Sequence, residues 1–168
     1  RLGGPSVFPY QPEDLYKNVV VDAPYPGTTW PTSSGDDLYR RSLYTFWKRT
    51  VPPPAMIAFD AAERNVCAVK RQSTSTPLQA LALLNDTQVV EAARHLGQRM
   101  LREGGATDAE RAAWTFRRVT GRRPAPREVE LLERLLSEQR ALFRSDPESA
   151  SKLLRVGEAA SDSALDPA

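Results

Sequence analysis

Few residues of this sequence can do bond-making chemistry, and their spacing sets what to expect of them. Cys67 and His95 are the only cysteine and the only histidine in 168 residues. A cysteine nucleophile needs a base beside it, so the pair would act only if folding brought the two together. His95 lies four residues from both Glu91 and Arg99, a spacing that puts all three on one helical face. A solvated histidine in a charge ladder is expected there, ahead of a metal ligand. Acidic clusters outside amphipathic helices include Asp36 with Asp37, and Asp60 with Glu63. Paired carboxylates can serve hydrolysis, but "SSGDD" has no calcium-loop pattern, and helix capping accounts for Asp36 and Asp37. No GxSxG, phosphate-binding loop or dinucleotide fingerprint occurs. No catalytic, cofactor-binding or metal-ligating residue is therefore assigned, and an enzyme is the less favoured reading.

Binding chemistry has stronger candidates. Within residues 39–49, "YRRSLYTFWKR", four rings and four cations lie side by side. If the stretch is helical, Tyr39, Leu43, Phe46 and Trp47 share one face about 100° wide, Tyr44 falls on its margin, and Arg41 and Lys48 point away. Such a stripe is read mainly as core, with Tyr44 and Arg40 as the exceptions that can lie along a rim with wet polar ends. Trp30, in "YPGTTWPTSSG", either plugs the core or offers its ring to a sugar. Trp30, Tyr44, Trp47 and Arg40 thus form the candidate ligand surface, with polysaccharide as the candidate ligand. The basic run "FRRVTGRRPAPR" could mark a helix-turn-helix, but Glu128, Glu130 and Glu133 load the following helix with negative charge where a recognition helix presents cations and amides. With a net charge of only +2, the chain is expected to have no nucleic-acid partner.

The elements that must position these residues follow from punctuation. Nine of the fourteen prolines precede residue 55, and X-Pro pairs favour extended or turn backbone. Residues 1–36 are read as an ordered extended arm, with "LYKNVVVD" as a short strand, because a disordered tail would carry fewer rings than Phe8, Tyr10, Tyr16, Tyr25 and Trp30. Asp36 or Asp37 starts a helix over 37–50, and "VPPP" ends it. Residues 55–72 suggest a turn around Asp60 and an extended piece through "NVCAVKRQ". Further helices are expected near 77–84, 86–103, 108–120, 126–143 and 147–156, opened by capping boxes at Thr76–Gln79 and Thr107–Glu110 and stopped by glycines. Their inward stripes are Val89, Ala93, Leu96 and Met100; Ala109, Ala112, Ala113, Phe116 and Val119; and Val129, Leu132, Leu135, Leu136 and Leu142. Residues 157–168 read as polar coil. The fold class is mainly α: an irregular helical domain over 37–156 with a proline-rich, aromatic extended N-terminal arm and little or no sheet. No apolar run suffices for a membrane span. The start "RLGGPS" lacks an initiator methionine, so the chain is read as a fragment.

Three collinear blocks, "GGPSVFPYQP", "LYRRSLYTFWKRTVPPPAMIAFDAAERNVCAVKRQSTSTPLQALALLNDTQVVEAARHL" and "AWTFRRVTGRRPAPREVELL", carry a resemblance over most of residues 3–143. They resemble the planctomycete-specific domain of unknown function found near the C-terminus of large cytochrome-c-like multidomain proteins. The resemblance implies a non-catalytic structural or interaction domain of an exported protein, periplasmic or at the cell surface, whose partners are other domains of the same polypeptide. It implies haem only elsewhere, on a CxxCH domain, since no CxxCH occurs in this chain. The alternative is a carbohydrate-binding or polysaccharide-processing accessory domain. The family often has proline where Thr87 stands, which would mark the start of the second long helix. A missing part of the domain is expected to leave apolar surface exposed.

Overall fold

The protein is described from a computed structural model over residues 2–12, 15–16, 29–49, 51–162 and 164–165. It is mainly α-helical, and among the described residues the only β pairing is one isolated bridge. The expected strand over 15–22 lies almost wholly outside the described residues. Two compact units form, Arg1–Val89 and Val90–Ala168. Residues 37–89 group with the N-terminal segment in the first unit, and residues 90–156 lie in the second.

The front unit begins with extended segments that exchange backbone hydrogen bonds. Val7 N donates to Tyr44 O and Phe46 N donates to Val7 O, both at 2.8 Å, which makes the Val7–Thr45 parallel bridge. Ser33 N donates to Phe8 O at 2.8 Å, and Phe8 N donates to Ser33 Oγ at 3.0 Å. This lateral capture is why the helix expected over 37–50 does not form. In a helix the Phe46 N–H would bond the carbonyl of residue 42, but it bonds Val7 instead. Only two 3-10 turns remain, Gly35–Tyr39 and Ser42–Tyr44. Aromatic and β-branched residues suit extended backbone once a neighbour supplies partners, and this stretch carries Tyr44, Thr45, Phe46 and Trp47 in sequence.

The shared ring face goes with the helix. Phe46 is half-buried, but Leu43 is 75% exposed and Tyr39 is exposed as well. The interior position belongs to Leu38, 1% exposed, which the helical stripe left out. Asp36 and Asp37 lie exposed in the first 3-10 turn, whose N-cap is Ser34, and neither caps it with a side chain.

Past the elbow, Pro53 is buried and Pro54 opens a short helix, α1 (Pro54–Ala58), that the sequence did not signal. Asp60 makes the expected turn, with a left-handed φ of 58°. Residues 62–76, where an extended piece was expected, form no regular element, and Val66 and Val69 are exposed. Helix α2 (Pro77–Asn85) opens with the complete capping box: Gln79 N donates to Thr76 Oγ1 and Thr76 N donates to Gln79 Oε1, both at 3.3 Å. A single extended residue, Asp86, separates α2 from α3 (Thr87–Glu103). Its Oδ1 accepts from Gln88 N at 2.9 Å and Val89 N at 3.3 Å, so a carboxylate cap defines the boundary without a proline at 87.

In the back unit, α4 (Asp108–Thr120) opens with the Thr107–Glu110 capping box and closes on Gly121 at φ 75°. Helix α5 (Pro126–Ser145) packs against α4 and against α6 (Pro147–Leu154). The Asp146 carboxylate caps α6 by accepting from Ser149 N at 3.0 Å. On α5 the half-buried residues are Glu128 in the first turn, then Val129, Leu132, Glu133, Leu136, Arg140 and Phe143 along one face. Leu135 and Leu142 were expected on it, yet both are exposed, because helical rotation sets them about 100° to one side. Val119, in the last turn of α4, and Ala93 on α3 are exposed too.

Candidate functional site

Arg40 and Tyr44 come together, as clamps on the chain's own first residues. The Arg40 guanidinium carbon sits 3.9 Å from the Tyr44 ring centre, a cation–π geometry. Its Nη1 donates to Pro5 O at 2.8 Å and its Nη2 to Gly3 O, while Gly3 N donates to Tyr44 Oη at 2.9 Å. Gly4 has φ 105°, and a Cβ there would meet Arg40 Nη1 at 3.4 Å, so glycine suits both the backbone and the space. The signal for this clamp was the "GGP" motif.

Trp30 belongs to a separate cluster. Its ring stacks on Tyr16 at 4.9 Å and meets Phe8 edge-on at 5.1 Å, Phe8 stacks on Phe46 at 5.0 Å, and Trp30 Nε1 donates to Pro9 O at 2.6 Å. Rings at these separations stabilise beyond simple burial. Burial pushes the Tyr16 phenol up to about 12, which keeps it neutral. Trp47 lies under the Arg64 guanidinium at 4.5 Å, its Nε1 buried without a hydrogen-bond partner. The four candidate residues therefore contact different protein groups, and the ring faces named here lie against other side chains.

The carboxylates are committed locally. Asp60 accepts from Thr74 N at 2.8 Å and from Thr74 Oγ1 at 2.8 and 3.0 Å. These hydrogen bonds, the backbone one foremost, hold its carboxyl below the usual range. The turn at Asp60 is thereby tied to the approach to α2, where Gln79 Nε2 also donates to Thr74 Oγ1 at 3.1 Å. Cys67 is exposed. Among the described residues, no three His, Cys, Asp or Glu side chains converge to hold a metal.

The charge ladder through His95 does not form, because Glu91 turns inward. Glu91 is 1% exposed. It lies 3.7 Å from Arg94 Nη2, and its Oε1 accepts from Ala159 N at 2.7 Å, while Arg94 Nη2 donates to Ala159 O at 2.5 Å. Residues 157–159, read from sequence as coil, are thus pinned by a buried charge pair. Gly157 adopts φ 87°, and a Cβ there would overlap the Glu91 carboxylate. Arg99 pairs with Glu103 at 2.9 Å instead of extending the ladder. In the basic run, Arg122 grips Glu128 through two hydrogen bonds of 2.6 and 2.8 Å.

Two cavities have apolar walls. One, of about 320 Å³ in the front unit, lies among Pro53, Met56, Phe59, Ala82, Asp86 and Gln88. The other, of about 550 Å³ in the back unit, lies where α5 ends and α6 begins. Exposed leucines form the remaining notable surface: Leu78, Leu81, Leu83 and Leu84 all stand out from α2, and no residue of that helix is buried.

Comparison with known proteins places this fold in a family. The sequence pattern of PSD1, described as a protein of unknown function (DUF1553), matches residues 1–136. The chain belongs to that family. No curated protein and no solved structure matches it. No described helix is long and apolar enough to cross a membrane.

Proposed function

We propose that the chain is a non-catalytic interaction module, and that it works by seating the leucines of α2 against another domain of its own polypeptide. The observation that supports this is the exposure of Leu78, Leu81, Leu83 and Leu84 on a nine-residue helix, with Leu84 at 75%. A surface helix normally hides one apolar stripe, and contiguous apolar surface left open marks a contact site. Propensity does not account for such a helix, since most helical stability comes from packing an apolar face.

The wider context in this proposal is the one the resemblance implies: an exported, cytochrome-c-associated protein of the periplasm or cell surface, with haem on another domain. Cross-linking mass spectrometry of the full-length polypeptide tests it. Links from the α2 region, through lysine introduced at exposed Ala80, should reach a second domain, and the double variant Leu81→Asp/Leu84→Asp should abolish them. Links confined to this chain would sink the proposal. The carbohydrate reading is weaker, because the rings of Trp30, Tyr44 and Trp47 are engaged with protein groups. Loss of polysaccharide binding in Trp30→Ala would revive it.

A further inference from the structure

The cavity at the α5–α6 corner differs from the other in its charge. Its walls include Phe143, Pro147 and Leu154, with Ser151, Arg144 and Arg155 among the polar lining groups. None of the described residues lining it is acidic. Among the described residues several arginines of the back unit have a carboxylate partner: Arg94 has Glu91, Arg99 has Glu103, Arg122 has Glu128 and Arg140 has Asp108. Arg144 and Arg155 have none. The nearby carboxylates are engaged elsewhere. Asp146 accepts from Ser149 N and Ser149 Oγ, and Glu148 pairs with Lys152 at 2.7 Å.

Helix ends explain part of this placement, since cations are favoured near a C-terminus: Arg144 lies in the last turn of α5 and Arg155 caps the C-terminus of α6. That effect places each arginine separately. It does not account for two arginines lining the same largely apolar hollow with no acid among its described lining residues. Guanidinium matches the planar geometry of carboxylate and phosphate oxygens, and a cavity of about 550 Å³ falls in the size range of small-molecule sites.

From this arrangement we infer that the corner is a binding site for an amphipathic anion, a small molecule with an alkyl or aryl body and a carboxylate or phosphate head. The body lies against Phe143, Pro147 and Leu154, and the head meets Arg144 and Arg155. The site is separate from the leucine face of α2 and stands or falls without it.

Titration of the ¹⁵N-labelled chain with octyl phosphate and with octanoate, followed through backbone amide shifts, tests the inference. Shifts should concentrate in residues 143–161. Arg144→Gln and Arg155→Gln should each weaken binding by about tenfold, and octanol or inorganic phosphate should bind far more weakly than either probe. Both arginines are exposed, so these variants should melt like the parent. Ser151→Phe, which fills the hollow, provides an independent second loss. A preference for octyl phosphate over octanoate assigns the head as phosphate, and the reverse as carboxylate; either supports the site. Equal binding of octanol, undiminished affinity in the double arginine variant, or shifts outside the corner would overturn it.

Discussion

Residues 1–89 and 90–168 solve the same problem with different interactions. The front unit contains little helix before α2, and it closes through backbone pairings between distant segments and a cluster of four rings. The back unit is mostly helix, with α4 and α6 opened by local side-chain caps and α5 by Pro126, small Ala112 and Ala150 at its buried contacts and a buried charge pair between Glu91 and Arg94. In the front the long-range contacts decide the local conformation, whereas in the back the local conformation is nearly complete before helices meet. The difference predicts that single substitutions will fail in different ways in the two halves.

The largest effect should come from the buried pair. Glu91→Ala leaves Arg94, 5% exposed, without its charge partner and frees Ala159 N. Removal of one member of a buried ion pair typically costs about 3–5 kcal/mol. Amide hydrogen exchange should show lost protection in α3, α4 and residues 157–159, with Val7, Phe8 and Ser33 unaffected. Loss spread evenly over the chain would erase the contrast between the units.

Next comes Phe46→Ala, which removes the ring that stacks on Phe8 and neighbours Trp30 at 6.3 Å. The ring is half-buried, so about 3 kcal/mol is expected, the low end of the range for such a truncation. Urea unfolding measures it, and near-ultraviolet dichroism should report the broken ring cluster. The variant should spare α4 and α5, the mirror image of Glu91→Ala.

These two residues also show what the sequence could and could not reveal. Helices α2 to α6 were legible because their starts are written locally: Thr76 with Gln79, Thr107 with Glu110, Asp146 with Ser149. The 44–47 segment was not, because its partner for hydrogen bonding, Val7, lies 37 or more residues away; helical periodicity among its rings was coincidental. Glu91 was read as part of a solvated charge ladder from its four-residue spacing to His95, since only the fold brings Ala159 against it. The arginine pair at the α5–α6 corner had no local signal either, as Arg144 and Arg155 become neighbours of one cavity only after the Asp146 turn.

A moderate effect is expected at the α4–α5 turn. Gly121 has φ 75°, and nothing lies within 4 Å of where a Cβ would stand, so Gly121→Ala costs only the backbone penalty, about 1–2 kcal/mol. The same turn sets a pH signature. Arg122, and behind it Ala125 N–H, lower the Glu128 carboxyl from 4.5 to about 2. The folded value lies below the unfolded one, so the stabilisation is complete above about pH 4.5 and fades as pH falls toward 2. Comparison of the parent with Glu128→Gln across that window should show a small stability gap at neutral pH that closes under acid. A gap independent of pH would mean that the ion pair contributes nothing.

The smallest effect discriminates best between helix and extended backbone in the front unit. If residues 37–50 were helical, Leu43 and Phe46 would lie on one buried face, and truncation of either would cost several kcal/mol. In the structure Leu43 belongs to a short 3-10 turn and is 75% exposed. Leu43→Ala should then change stability by no more than about 0.5 kcal/mol, as for other surface positions, with an unchanged urea midpoint. A loss approaching that of Phe46→Ala would restore the helix and remove the contrast drawn between the halves, because the front unit would then also be built from local periodicity.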